Sequence, residues 1–146
     1  FVAGNDEMIE TLIQQGRSYI YTTALPPVVA AASLAALRLS GAEPWRREKL
    51  SMLVDYFRAG CQQRNIALLP SSTPIQPVLI GNNEQVQQLA EKLQQQNLLV
   101  FAIRSPTVAR GSERLRVTLS ASHEQADVDI LLDGLANAMT EIGNGS

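Results

Sequence analysis

Residues 98–124, reading LLVFAIRSPTVARGSERLRVTLSASHE, constrain the fold more than any other stretch of the chain. The apolar run 98–103 is too short for an ordinary helix and rich in strand formers, which predicts a buried strand. Arg104 ends it, Pro106 and Gly111 punctuate a loop, and residues 114–119 then alternate strictly. Arg114, Arg116 and Thr118 take one face of that second strand and Leu115, Val117 and Leu119 the other. The second strand is expected to turn back on the first as a hairpin. Its polar face carries Arg116, with Arg104 and Thr107 at the mouth, and guanidinium groups grip a carboxylate through paired hydrogen bonds. On the residues alone, a solvated strand face pairing with acidic neighbours is the slightly better reading.

The segments around this hairpin supply helices to cover it. Asn5 can cap a helix with Asp6 and Glu7 in its first turn and Met8, Ile9, Leu12 and Ile13 on one face, closed by Gly16. Residues 17–23 read as an extended segment presenting Thr22 and Thr23 before Pro26, where simple turn chemistry is the plainer alternative. Pro26 and Pro27 suit the start of a helix over 28–39 that is apolar nearly all round and so expected to be buried between layers. Gly41 closes it, and 41–44 is taken as a domain boundary. Pro44 opens a longer helix with Leu50, Leu53, Val54, Phe57 and Cys61 at spacings of three and four, its first turn anchored by Trp45.

Downstream, Pro70, Pro74 and Pro77 predict poor pairing until a strand at 78–80. Asn83 and Glu84 start a helix with a Val86, Leu89, Ala90, Leu93 stripe, stopped by Asn97. After the hairpin, Ser122 and Gln125 have the spacing of a capping box ahead of a last helix with Val128, Leu131, Leu132, Leu135 and Met139 inward. Fraying is expected from Gly143 onward. The fold class is therefore α/β with a small α+β domain, a β-α-β-β-α sheet with helices on one face. The uncovered face should pack on something else or bind a ligand.

Composition removes several functions. With 45% hydrophobic residues in 146 the chain can bury a core, and a net charge of -2 without a basic cluster argues against nucleic acid. Cys61 is the only cysteine, so intrachain disulfides and cysteine-based zinc clusters are excluded and a reducing compartment is allowed. A cytoplasmic location is expected. No stretch is long and apolar enough for a membrane span, and no secretory leader is visible. Asp127, Asp129 and Asp133 lie on a helix without a calcium-loop glycine, so no metal is assigned. His123, the sole histidine, reads as structural. The chain opens at Phe1, in what reads as the end of a strand at Val2 and Ala3, which suggests a fragment whose beginning is missing.

The pattern AIRxPTV, a short loop, then RLRVTLSAxHE over residues 102–124 resembles the C-terminal signature of the α-oxoamine synthases, pyridoxal-phosphate enzymes of fold type I. The resemblance extends through RSYIYTTALPP (17–27), RREKL (46–50), IQPVLIG (75–81) and AEKLQQ (90–95), nearly the whole chain. Ser105 replaces a usual proline, and Ala109 with Arg110 a usual Pro-Ala pair. The wording favours the biotin-pathway branch, which condenses L-alanine with a pimeloyl thioester of CoA or acyl carrier protein and releases carbon dioxide. The resemblance implies that residues 1–42 end a truncated large cofactor-binding domain and that 43–146 form the small C-terminal domain of a homodimeric enzyme. It also implies substrate binding by Thr107, Arg116 and Arg104. Thr22 and Thr23 would approach the cofactor or substrate of the neighbouring subunit.

The implied cofactor is pyridoxal 5'-phosphate, which needs a Schiff-base lysine. Lys49 and Lys92 are the only lysines, both on amphipathic helices without the small-residue strand context the family gives that lysine. The fragment alone is expected to be inactive, with no catalytic residue of its own. Alternatives from other classes are a glycine-using α-oxoamine synthase, a non-catalytic small-molecule-binding module and a structural dimerisation domain.

Overall fold

The alternation at 114–118 is realised as the middle strand of a three-stranded antiparallel sheet. The computed structural model describes residues 2–143; Phe1 and the residues after Gly143, where fraying is expected, lie outside the described residues. Its helices are α1 (Asp6–Gln15), α2 (Pro27–Ala42), α3 (Trp45–Gln63), α4 (Asn83–Gln95) and α5 (Gln125–Gly143). Its strands are β1 (Ile75–Leu79), β2 (Phe101–Ile103) and β3 (Arg114–Thr118), in sheet order β1-β3-β2. The chain divides into two compact units at Glu43 and Pro44.

The first unit holds α1 and α2. Asn5 caps α1 by accepting from the Met8 N–H at 3.0 Å, and Gly16 closes it, both as expected. No strand forms at Val2 and Ala3, since no partner strand lies within the unit's described residues. The expected extended segment at 17–23 is instead a turn at 17–21, in which Tyr19 and Ile20 N–H groups bond back to the Gly16 carbonyl and Thr22 N–H to Tyr19. Local bonds take those donors, and no strand among the described residues of this unit competes for them. The burial expected for α2 is likewise absent within this unit, where none of the described residues is buried and Val28 and Leu37 are 73% and 70% exposed.

The second unit holds the core. Leu115 and Val117 of β3, with Val78 of β1, face Phe57 and Cys61 of α3, Val86, Leu89 and Leu93 of α4, and Leu132 and Leu135 of α5. All are buried, and α3, α4 and α5 lie on one face of the sheet. Trp45 does not anchor α3 in this core; it is half exposed, with the Arg46 guanidinium 4.7 Å from its ring centroid. The strand expected at 78–80 begins earlier, at Ile75, and includes Pro77. β1 tolerates that proline because its outer side meets only the Leu68–Val78 bridge, where the Pro77 carbonyl accepts from Leu69 and no proline N–H is required.

Smaller differences follow the same logic of local hydrogen bonding. α4 starts at Asn83 as expected, and Asn82 just before it is the cap, accepting from the Glu84 and Gln85 N–H groups. β2 is three residues rather than six, because Leu98 N–H bonds to Leu93 as the helix closes and pairing with β3 starts only at Phe101. Asn97, at φ 62, makes that left-handed closure. Ser122 and Gln125 do not form the expected box; Asp127 reaches back instead to the Glu124 N–H at 2.8 Å.

Cys61 is fully buried, and burial pushes its thiol up to about 12. An unfolded thiol ionises near 9, so the unfolded state loses its proton first and this group's contribution to stability falls as pH rises from about 9 to 12. A thiol-reactive dye at pH 8 should label Cys61 at the rate of unfolding rather than at that of a free thiol. Gly60 lets α3 approach α5 closely: a Cβ there would stand 2.3 Å from Leu132 Cδ1, on a side chain only 1% exposed. Gly60→Ala should therefore destabilise the unit by about 1–3 kcal/mol in urea denaturation, despite the roughly 1 kcal/mol helix-propensity gain.

Candidate carboxylate site on the open sheet face

No helix of the second unit covers the face of the sheet opposite the core. The register Ile75–Thr118, Pro77–Arg116 and Leu79–Arg114 on one side of β3, with Phe101–Arg116 and Ile103–Arg114 on the other, collects these side chains on that face. It is an apolar field crossed by two guanidiniums. Arg116 is exposed, and its guanidinium stands 5.2 Å from the centroid of the Phe101 ring. The ring steadies the cation by its quadrupole and leaves the hydrogen-bonding edge of the fork available. Arg114 is half buried, its Nε has no hydrogen-bond partner among the described residues, and the sequence placed it on this face without giving it a role.

The other expected residues lie at the loop after β2. Arg104 donates to Gln87 Oε1 at 2.5 Å, which draws it toward α4. The Ser105 N–H bonds to Asn83 Oδ1 at 3.1 Å, tying the start of the loop to the same helix, and the Ser105–Pro106 peptide is cis. Thr107 is exposed in the turn that follows. Gly111, at φ 81, and the buried Glu113, whose carboxylate accepts from the Gly111 N–H at 2.8 Å, close the loop into β3. The structure thus sets Arg116 and Arg114 side by side on one strand, and holds Arg104 by an amide of α4. In the first unit, the Thr22 hydroxyl donates to the Tyr19 carbonyl at 2.6 Å, and Thr23 is exposed just after it.

Groups that could have suggested other chemistry are engaged locally. Asp127 caps α5, Asp129 accepts from the Tyr56 hydroxyl at 2.7 Å and Asp133 from Arg64 at 2.7 Å, so the three aspartates serve three separate partners. The hydrogen bond to Asp129 raises the Tyr56 phenol above its ordinary value, because the carboxylate opposes a second negative charge. His123 Nδ1 accepts from the Ser120 N–H at 3.1 Å and stabilises the turn into α5. His123 and Asp127 also line a cleft of about 490 Å³ beside β3, and Arg47 and Arg58 a second of about 590 Å³ along α3; neither contains Arg116. No helix among the described residues is long and apolar enough to cross a membrane.

The lysines do not fit a Schiff-base role. Lys49 of α3 pairs with Glu124, just ahead of α5, at 2.5 Å, and Lys92 of α4 pairs with Glu141 of α5, so both amines are engaged in ion pairs at the surface. Treating the chain with one equivalent of pyridoxal phosphate and then borohydride should leave both lysines essentially unmodified by peptide mass mapping; stoichiometric trapping at either would contradict this geometry.

Comparison with known proteins shows which family the chain belongs to. The family model for aminotransferase class I and II matches residues 1–135. The chain is 49% identical over 142 residues to the 8-amino-7-oxononanoate synthase of Saccharophagus degradans, a match covering 97% of this chain and 36% of that protein. The crystal structure of 8-amino-7-oxononanoate synthase from Francisella tularensis is similar at a TM-score of 0.81 and 26% identity, over 95% of this chain and 41% of that one. A serine palmitoyltransferase variant from S. paucimobilis with a bound PLP–myriocin aldimine superposes at a TM-score of 0.88 over 97% of this chain and 36% of that one. At 24% identity that likeness concerns the fold alone. The chain spans little more than a third of the length of the relatives it matches.

Proposed function

Because the chain belongs to the aminotransferase class I and II family, we propose that it forms the substrate-gripping part of a pyridoxal-phosphate-dependent 8-amino-7-oxononanoate synthase. In this reading the complete protein is a cytoplasmic homodimer that condenses L-alanine with a pimeloyl thioester, with loss of carbon dioxide. Residues 1–42 belong to its large domain and 43–146 to its small one. The electron-sink chemistry belongs to the cofactor, and none of its steps is assigned to a lysine of this chain.

The observation that carries the reading is the placement of Arg116. It stands on the middle strand, where neighbours on both sides fix its direction, and its guanidinium lies over Phe101 on a face that no helix of the unit covers. A planar fork held this way can take a substrate carboxylate through two parallel hydrogen bonds. Fixing the carboxylate fixes the other bonds at the α-carbon, so the same contact that binds alanine selects which bond reacts. Thr107 and Arg104 lie on the loop at the hairpin mouth, where they can contact the substrate or intermediate; Arg104, shared with Gln87, is the weaker grip. Thr22 and Thr23 remain proposed contacts to the cofactor phosphate of the neighbouring subunit.

In the complete enzyme Arg116→Ala should raise the apparent alanine constant by roughly 30- to 150-fold, the equivalent of about 2–3 kcal/mol for a charge-assisted bidentate contact. Arg104→Ala should have a smaller effect, and Arg116→Lys should recover little, since an ammonium offers no fork. Steady-state kinetics with alanine varied at saturating pimeloyl thioester decide it. An unchanged alanine dependence in a folded Arg116→Ala protein would remove Arg116 from the site.

A further inference from the structure

Asn83, Gln87 and Glu91 stand four residues apart on α4, so successive turns of the helix set them in one exposed stripe. The first two meet the chain as it leaves β2. Asn83 Oδ1 accepts from the Ser105 N–H at 3.1 Å, and Gln87 Oε1 accepts from Arg104 at 2.5 Å. Glu91 stands behind them, its Oε1 accepting from Gln87 Nε2 at 3.0 Å. An amide that gives its nitrogen to a carboxylate presents its carbonyl oxygen to the next group, so Glu91 fixes which end of Gln87 faces the guanidinium. The acceptor at Arg104 is therefore neutral. Other surface cations of this unit meet carboxylates: Lys49 at Glu124, Arg64 at Asp133 and Lys92 at Glu141. A guanidinium has five N–H donors and the bond to Gln87 is made by NH1 alone, so the contact restrains Arg104 without cancelling its charge.

We propose that Gln87 is a positioning residue for the substrate site: it holds Arg104 through an uncharged acceptor, so that the guanidinium is oriented yet keeps its full charge for the carboxylate of the amino-acid substrate. The inference rests on the reading of Arg104 as a substrate contact. Two physical costs are avoided by an amide at this position. An apolar side chain there would leave a long, flexible arginine to be ordered by the substrate itself, at the expense of binding. A carboxylate there would hold the arginine as firmly but would compete with the substrate for its charge. Asn83 supports the same arrangement from the backbone side: Ser105, unlike the Pro106 that follows it, has an N–H to donate, and that bond fixes the chain next to Arg104 on the same helix.

The test uses the complete enzyme carrying Gln87→Met or Gln87→Glu, each made both with Arg104 present and together with Arg104→Ala. Both replacements are good helix formers at an exposed position, so α4 is kept. The readout is the apparent alanine constant at saturating pimeloyl thioester. With Arg104 present, each substitution should raise it roughly two- to fivefold, with kcat changed less. In Arg104→Ala neither should raise it further, because the group that Gln87 positions is gone. A merely structural effect at position 87 would appear in both backgrounds. Equal effects in the two backgrounds, or no effect of Gln87→Met with Arg104 present, overturn the proposal. An unchanged constant in Gln87→Glu overturns it as well, since a carboxylate would then serve as well as an amide. If Arg104→Ala alone leaves the alanine constant unchanged, the reading of Arg104 fails and the proposal falls with it. If Arg104→Ala raises the constant and Gln87→Met does not, that reading stands and the proposal alone falls.

Discussion

The second unit depends on β3 being bonded on both sides. Pairing with β1 and β2 holds its backbone in one register, and that register fixes the direction of every side chain on it. Leu115, Val117 and the following Leu119 are buried toward the helices. The hydrophobic effect that seals this core also turns Arg114 and Arg116 outward onto the opposite face. A slip of one residue would exchange the two sets, burying two guanidiniums and exposing the core. Core packing and site geometry are thus two sides of the same strand.

This coupling distinguishes the arginines by the stiffness of their supports. Arg116 inherits the rigidity of a middle strand and rests on an aromatic ring. Arg104 leaves a three-residue edge strand and is held through the amide of Gln87, a contact that ties its position to α4. A binding group is useful in proportion to how little it must reorganise, which is why the proposed carboxylate contact is placed on the strand arginine. The loop between them is organised from both ends, by Asn83 at Ser105 and by the buried Glu113 carboxylate at Gly111.

The first unit has the opposite character. α2 has proline at its start and alanines throughout, so its backbone is helical without help, yet none of its residues is buried within the unit. Side-chain hydrophobicity there says that the helix wants a partner, and local propensity alone says that it is a helix. Those two statements come from different physics, and only the second is satisfied by residues 2–43.

Sequence alone determined what local rules decide. The caps at Asn5 and Gly16, the proline start of α2, the spacing of Leu53, Val54, Phe57 and Cys61 on α3, and the in-and-out alternation of β3 all depend on residues within a few positions of one another. Tertiary structure decided what depends on a partner far along the chain. Pro77 enters a strand because β3 supplies the bonds on its other side, residues 17–21 turn with their N–H groups bonded back to Gly16 and Tyr19 and no strand among the described residues of their unit, and β2 is short because Leu98 is claimed by the end of α4. The same holds for the site. Alternation put Arg114 and Arg116 on one face, but Phe101 beneath Arg116 and the unpartnered Nε of Arg114 follow from cross-strand register, which depends on contacts no local pattern encodes.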